Sequence, residues 1–544
     1  MLKNRFLLPI IFIMMLIVSA CSDGTVSEEG SKATSPKVDE QTGEKSGGSL
    51  VLGTTAAPTL FNPYYSTDTS SSTIEGFIFS RLVDVDTEFN PEGDLAESWD
   101  FTDDGLTWTF HLREGVKWHD GEDFTADDVV FSYSIPLHED YIGPRGLPFE
   151  VIEKITKIDE YTVEFVLKEP YAPFITITAL YQVLPEHILK DVPVAELGMH
   201  RFNTKEPIGT GPFKFNEWKE GEYIELLANE EYFRGKPKLD SIIYKIVPDM
   251  NTLMSQLQVG DINLSGISPQ YIETAKKLEE QGKIKVTSGT SNAYEFIGYN
   301  LRNELFQDKL VRQALTHAID KESIVQAILD GAGVVAHGPG SPANWAFNPD
   351  VPKFEYSPEE ALKKLKEAGW EPGADGMLEK DGKKFEFVLK TTSANETRQQ
   401  IAEVVQQQLS EIGIKTSIEL LEWSAYIEQT SPPNWNFDAM IAGWSIGSDP
   451  DPTWFWHTSE IENGLNYNGY SNKKVDELLA KNTILADIEE RKKVITEAEA
   501  IVTEEQPNTF LYYVQGSLAS ALNLHGPSFN AANTYYKIHE WYID

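Results

Sequence analysis

The sequence predicts a multi-lobed α/β protein, and three observations carry that prediction. Strand-like runs alternate with amphipathic helices along the 544 residues, the βαβ rhythm of a mainly parallel sheet. The length suggests two to four domains with ample chain for a large core, at about 100–200 residues per domain. No unit of about 20–50 residues repeats, which excludes a solenoid. The composition, 41% hydrophobic, 11% aromatic and 24% charged, is that of a globular chain.

From the N-terminus, residues 1–20 read as a secretory signal. Lys3 and Arg5 give the basic start, Phe6 to Val18 the apolar run, and Ser19-Ala20 the small-residue cleavage site. The run is too short for a comfortable membrane-spanning helix of about 20 residues. Val18-Ser19-Ala20-Cys21 resembles the lipobox of bacterial lipoproteins, which implies that the Cys21 thiol carries a lipid and becomes the first mature residue. The chain has 1 Cys, so no intrachain disulfide exists. Residues 21–48 then read as the lipidated Cys and a flexible linker, because a segment without aromatic residues cannot offset its ordering entropy.

Residues 49–55 (SLVLGTT) predict a buried strand ending in turn residues. Residues 70–82 place Ile74, Phe77, Ile78 and Leu82 at helix spacing, and 106–113 alternate as a half-buried strand. Residues 125–135 open on a Thr125 cap and acidic first-turn residues, as a helix N-terminus should. Residues 161–168, 213–218, 223–229 and 241–247 read as strands. The second half is richer in helices. Residues 308–320 are amphipathic, and Asp320 then caps 321–331, which Gly331 ends. Helices 358–369 and 396–413 end at Gly and precede strands 384–391 and 415–423. Residues 438–445 and 509–515 read as further strands, the latter after two helical stretches.

With 46 Lys+Arg against 85 Asp+Glu, the formal net charge is −39. This excludes nucleic acid as a partner, because phosphate binding needs a basic face. It also argues against broad docking on an anionic membrane. The ten His are scattered and none falls in a paired metal spacing, so no metal site and no cofactor are expected. Residues 209–212 (GTGP) lack the Lys-Ser/Thr of a phosphate loop. Gly443-Trp444-Ser445-Ile446-Gly447 formally matches a G-x-S-x-G nucleophile elbow after a strand. The elbow needs a helix directly after the Ser, and Pro450 and Pro452 disfavour one. No enzyme is expected.

Residues Leu95 to Ser132 read LAESWDFTDDGLTWTFHLREGVKWHDGEDFTADDVVFS. This string resembles the signature of the large extracytoplasmic solute-binding proteins of peptide and nickel ABC importers (family 5). PIGTGPFKF (207–215), FQDKLVRQALTHAIDKESIV (306–325) and Gly443-Trp444 extend the resemblance over essentially all of residues 49–544. It is closest to the oligopeptide-binding lipoproteins of Gram-positive bacteria. The signature residues themselves read as structural, with Gly115 and Gly121 in turns and Trp99, Trp108, Phe110 and Trp118 in the core.

The resemblance implies the two-lobed periplasmic-binding-protein fold, with hinged lobes and an extra inserted domain. Lobe I would comprise 49–90, 205–295 and 515–544, the inserted domain 91–204, and lobe II 296–514. It also implies a ligand held as an extended strand between the lobes, bonded main chain to main chain. Gly443, Trp444 and Ser445 would lie beside the ligand backbone, Gly443 allowing close approach; Trp444 equally suits ordinary core. Many relatives use an acid four positions after that Gly for the ligand amine. Here that position is Gly447, which leaves Asp449 as first candidate and Asp451 as second, each also readable as a turn acid. Matched positions add Thr59, Leu60, Phe61 and Asn62 after the first strand, and Tyr299 and Asn300. Trp423 at a strand end and Tyr512 and Tyr513 at another complete the expected pocket, each also readable as core.

The function implied is a lipid-anchored, extracytoplasmic receptor, monomeric, that captures oligopeptides and delivers them to an ABC permease and its ATPase subunits. Oligosaccharide uptake is the alternative on the same fold, with twelve Trp available for sugar stacking, and nickel-chelate uptake follows it. A hydrolase rests on the 443–447 pattern alone. A surface chaperone or signalling-peptide receptor would share the peptide site.

Overall fold

The computed structural model describes residues 47–393 and 395–544. The signal sequence, Cys21 and the linker up to residue 46 lie outside the described residues. Among the described residues no helix is long and apolar enough to cross a membrane.

One mixed sheet of eleven strands runs through the molecule. Across it the order is Lys415–Leu421, Glu386–Thr392, Ala439–Ser445, Lys285–Tyr299, Asn508–Ser520, Leu264–Gly266, Ser49–Thr54, Ser241–Ile246, Tyr223–Ala228 and Phe213–Lys219, with Gly333–Val335 paired to Asn508–Ser520. Parallel pairs flank Ser49–Thr54 and Glu386–Thr392. The other neighbours are antiparallel. The expected mainly parallel sheet is therefore corrected to a mixed one. Two causes act. Short links between 213 and 246 can only join antiparallel neighbours, and two long strands run back through the sheet.

Those two strands join the lobes. Lys285–Tyr299 and Asn508–Ser520 pair antiparallel, with a register break between Thr290 and Tyr294. On one side of the break their partner is Leu264–Gly266, and on the other Ala439–Ser445. At the break Asn292 is buried. Its Nδ2 donates to the Ile446 and Gly447 carbonyls (3.2 and 2.9 Å), and its Oδ1 accepts from Asn344 (3.0 Å).

A separate four-stranded antiparallel sheet, Ala96–Phe101, Thr107–Leu112, Thr162–Leu167 and Ile152–Asp159, shares one hydrophobic core with the first lobe. The signature string explains that join. Thr125 and Asp128 form a capping box on helix Ala126–Ser134. The Asp128 carboxylate also accepts from buried Trp118 Nε1 (3.3 Å) and from Glu186 N (2.9 Å). Gly115 and Gly121 take left-handed φ angles of 75° and 98°. His119 is half-buried, its ring bonded to Gly211 O and Gly209 N; desolvation pulls its pKa down to about 4. Gly209 and Gly211 lie so close to the Ile78 carbonyl that a side chain on either would clash. Gly211 N bonds that carbonyl (2.8 Å), so the helix expected over 70–82 is Thr69–Ile78.

The second lobe has its own apolar clusters, one around Leu315, Leu389 and Ile441 and another around Phe296, Trp456 and Phe510. A small cluster unites Phe89 with Trp345, Ala346 and Ile495. Near the chain's described ends, Gly47 N bonds Lys238 O and Lys238 N bonds His539 O.

Candidate functional site

A cavity of about 430 Å³ opens where the first lobe, the four-stranded domain and the second lobe meet. Pro63, Ser66, Ser72, Glu75 and Arg81 form one wall. Arg145, Thr176, Ile177, Leu180, Tyr181 and Gln182 form the second, and Gly447 and Ser448 the third. Glu75 projects from helix Thr69–Ile78, whose N-terminus is fixed by Asp68 Oδ1 accepting from Ser71 N (2.7 Å). Burial pushes its carboxyl up to about 8. One oxygen accepts from Ser66 Oγ (3.1 Å), while Oε1 has no hydrogen-bond partner.

Behind the third wall, Asp449 is fully enclosed. Arg491 Nη1 and Nη2 donate to its two oxygens (2.7 and 2.6 Å), and Thr176 Oγ1 donates across the lobe boundary. Asp451 accepts from Thr453 Oγ1 (2.6 Å) and Asn482 Nδ2 (2.8 Å). Burial, then the Asp449 charge, pushes it up to about 6. Both acids are thus occupied by protein partners. In the adjoining strand, Gly443 faces the bidentate Arg398–Glu295 pair (both bonds 2.8 Å). A Cβ at Gly443 would collide with Glu295. Trp444 is half-buried among Phe296, Phe455 and Tyr467, with ring centroids 6.1, 5.1 and 5.5 Å away. Ser445 is exposed at the strand end, and the next helix begins only at Thr453. The elbow geometry is absent.

The remaining expected residues are dispersed. Thr59 is exposed and donates to Asp68 (2.7 Å), and Leu60 follows it with its N–H on Ser71 Oγ (3.3 Å). Phe61 is buried between Phe215 and Trp218. Asn62 is buried and donates to Asn203 (3.0 Å). Tyr299 is buried with its hydroxyl on Thr509 Oγ1 (2.7 Å). Asn300 holds the Trp435 and Phe437 carbonyls (3.1 and 2.8 Å). Trp423 does not end a strand. The strand stops at Leu421, Glu422 caps, and Trp423 opens helix Trp423–Thr430, 54% exposed. Tyr512 and Tyr513 do not end theirs either; they lie buried within Asn508–Ser520, and the Tyr513 hydroxyl donates to Gly338 O (3.0 Å). None of these residues lines the three-walled cavity, although Asn62 and Asp449 are sequence neighbours of Pro63 and Ser448, which do. The cavity's charged residues, Glu75, Arg81 and Arg145, were missed. The helix pattern of 70–82 marked Glu75 as an acid amid buried positions, the one available signal; nothing near Arg145 separates it from a surface loop.

Among the described residues no group of three or more His, Cys, Asp or Glu is placed to hold a metal ion. A two-lobed α/β body with a polar cavity at the lobe junction is the architecture that solute-binding proteins use. Residues 90–465 match the model of the bacterial extracellular solute-binding proteins, family 5, and the chain belongs to that family. It is 44% identical to the oligopeptide-binding protein AppA of Bacillus subtilis over 542 residues, covering 99% of this chain and 98% of that one. The structure of AppA in complex with a nonapeptide superposes with a TM-score of 0.71 at 45% identity, covering 92% of this chain and 99% of that one. The substrate-binding protein CtaP of Listeria monocytogenes superposes with a TM-score of 0.80 at 28% identity, covering 92% and 100%. The heme-binding protein A of Haemophilus influenzae is 30% identical, covering 90% and 91%. The family's members are binding proteins, and this chain is one.

Proposed function

We propose that the protein captures extracellular oligopeptides between its lobes and delivers them to a membrane permease driven by ATPases. In this reading it acts as a monomer anchored to the outer face of the cell membrane by a lipid on Cys21. The observation that carries it is the similarity to an oligopeptide-binding protein along nearly the whole of both chains. Hinge closure around the ligand is established for binding proteins of this architecture, and the paired strands Lys285–Tyr299 and Asn508–Ser520 suit that motion. The division into lobe I (49–90, 205–295, 515–544), inserted domain (91–204) and lobe II (296–514) belongs to the same proposal. It is supported by the register break at 290–294 and by the separate sheet within 96–167. Gly443, Trp444 and Ser445 are proposed as the second lobe's face toward the ligand.

Mass spectrometry of ligand released from protein purified out of its host tests the reading. Peptides in the released fraction support it. A calorimetric response to cellooligosaccharides or Ni²⁺, with none to any peptide of a random pool, overturns it. Metabolic labelling with palmitate, compared between the natural chain and Cys21→Ser, tests the anchor; equal labelling of both overturns it.

A further inference from the structure

The three-walled cavity holds two ionisable groups, the Glu75 carboxyl and the Arg145 guanidinium, each with one buried atom that makes no hydrogen bond within the protein. Glu75 is 1% exposed, and its Oε1 makes no hydrogen bond within the protein, although the Asn62 backbone N–H lies beside the carboxyl and works against its raised pKa. Arg145 Nε is buried and meets no acceptor. The two do not pair with each other. Ser66 stands between them, giving its hydroxyl proton to Glu75 Oε2 (3.1 Å) and its carbonyl to Arg145 Nη2 (2.9 Å). The Tyr141 hydroxyl accepts from Arg145 N (3.1 Å), which holds that loop in place. Leaving a buried polar atom without a partner costs about 1–3 kcal/mol, more for a charged group, and such groups ordinarily find one in protein or water.

The chemistry of a matching ligand follows from the pair. An ammonium group would satisfy Glu75 but leave the Arg145 N–H unmatched and face a like charge. A carboxylate would do the reverse. An amide offers N–H and C=O side by side and satisfies both. We propose that Glu75 and Arg145 form an amide-reading subsite at the lobe junction, Glu75 Oε1 accepting from the ligand's N–H while Arg145 Nε donates to its carbonyl oxygen. This rests on the peptide reading above, and a peptide supplies the group from two sources, its main chain or the carboxamide of Asn or Gln. Gly447 and Ser448 close the subsite from the second lobe, so its occupation is sensed from both sides of the hinge.

The test starts from a pool of randomised nonapeptides passed over the purified full-length protein. The tightest retained peptide is then titrated calorimetrically into wild type, Glu75→Gln, Glu75→Leu and Arg145→Met, with thermal unfolding as the check on folding. Glu75→Gln keeps an acceptor oxygen and binds within threefold of wild type. Glu75→Leu and Arg145→Met each weaken binding tenfold or more, about 1.4 kcal/mol. If Glu75→Leu fails to fold, Arg145→Met decides. Replacing one peptide N–H by an ester oxygen weakens binding to wild type but not to Glu75→Leu if the main chain is read. Replacing Asn or Gln by Ala does so if a side chain is read. Loss with Glu75→Gln as large as with Glu75→Leu would mean that charge is sensed, and overturns the proposal. So does unchanged binding by Glu75→Leu and Arg145→Met, or indifference to every ester and Ala replacement. If wild type retains no peptide, the peptide reading itself falls.

Discussion

Asp449 illustrates how a residue's neighbours in sequence can mislead about its neighbours in space. Ser-Asp-Pro-Asp-Pro reads as a solvated turn or a ligand acid, yet Asp449 is paired with Arg491, whose side chain is 1% exposed. That guanidinium also lies 5.5 Å from the Trp345 ring. Breaking a buried pair leaves an uncompensated charge, costing about 3–5 kcal/mol. Arg491→Met is therefore expected to lose about that much in urea unfolding, while the double variant Asp449→Leu/Arg491→Met recovers most of it. Glu499 is a second buried acid, pushed up to about 8 by desolvation, with Tyr294 and Tyr513 beside it. A carboxyl whose folded pKa exceeds its unfolded value of about 4.5 holds its proton longer in the folded chain. Between those values the folded state binds more protons, so stability falls as pH rises from about 5 to 8. Glu75 and Asp451 act in the same direction. Glu499→Gln should flatten this slope in thermal melts and gain about 2 kcal/mol or more at pH 8. Gly443 was read as permitting a ligand's approach. In the fold its immediate neighbour is the Glu295–Arg398 pair, contributed by residues 103 apart in sequence, a relation that no local pattern encodes. Gly443→Ala should cost about 1–3 kcal/mol through the forced displacement of that pair.

At the scale of elements, the features written in local chemistry were legible. Helices Lys309–His317, Pro358–Glu367 and Glu396–Glu411 begin at Asp308, Ser357 and Asn395 caps, all side-chain acceptors of an N-terminal N–H. Gly369 and Gly413, with φ of 89° and 84°, lie just beyond the ends of the last two. The strand Lys285–Tyr299 was not legible. Its first half, KVTSGTS, carries Gly and Ser instead of an alternating apolar face and is only partly buried. Its partner was read only over 509–515 and not to Ser520, because Gly516, Ser517 and Ser520 interrupt the apolar pattern although residues 517–520 are buried. The parallel rhythm was overread for the same reason, since periodicity reports which faces are buried and not the direction of the neighbouring strand. The Thr125 capping box, visible as T-A-D-D, gives a test at this scale. Thr125→Ala should cost about 1 kcal/mol. Asp128→Ala should cost more, because it also releases Trp118 and the Glu186 N–H. Chemical unfolding of the two variants ranks them.

For the whole molecule, the charge of −39 excluded nucleic acid and named no ligand. Recognition came from the long signature string, whose residues build the join between the first lobe and the four-stranded domain rather than the cleft. That is why the fold was readable and the site was not: a cavity lined from within residues 63–81, 145, 176–182 and 447–448 exists only after four segments meet. Closure on a ligand should raise the unfolding free energy by RT ln(1 + [L]/Kd), about 2.7 kcal/mol at a hundredfold excess over Kd. A melting temperature that does not move with increasing concentration of a bound peptide would contradict ligand-linked stability.

The hydrogen bonds that run from Gly47 to Lys238 and on to His539 hold these two segments against the first lobe. A dye attached beside Gly47 or His539 therefore reports that lobe alone. A spectroscopic ruler for opening needs its second label in the other lobe, for example on exposed Leu420, with the first on exposed Val259. A surface-coupled sample held through a residue beside Gly47 or His539 leaves the second lobe free to swing, so immobilisation itself should not slow capture.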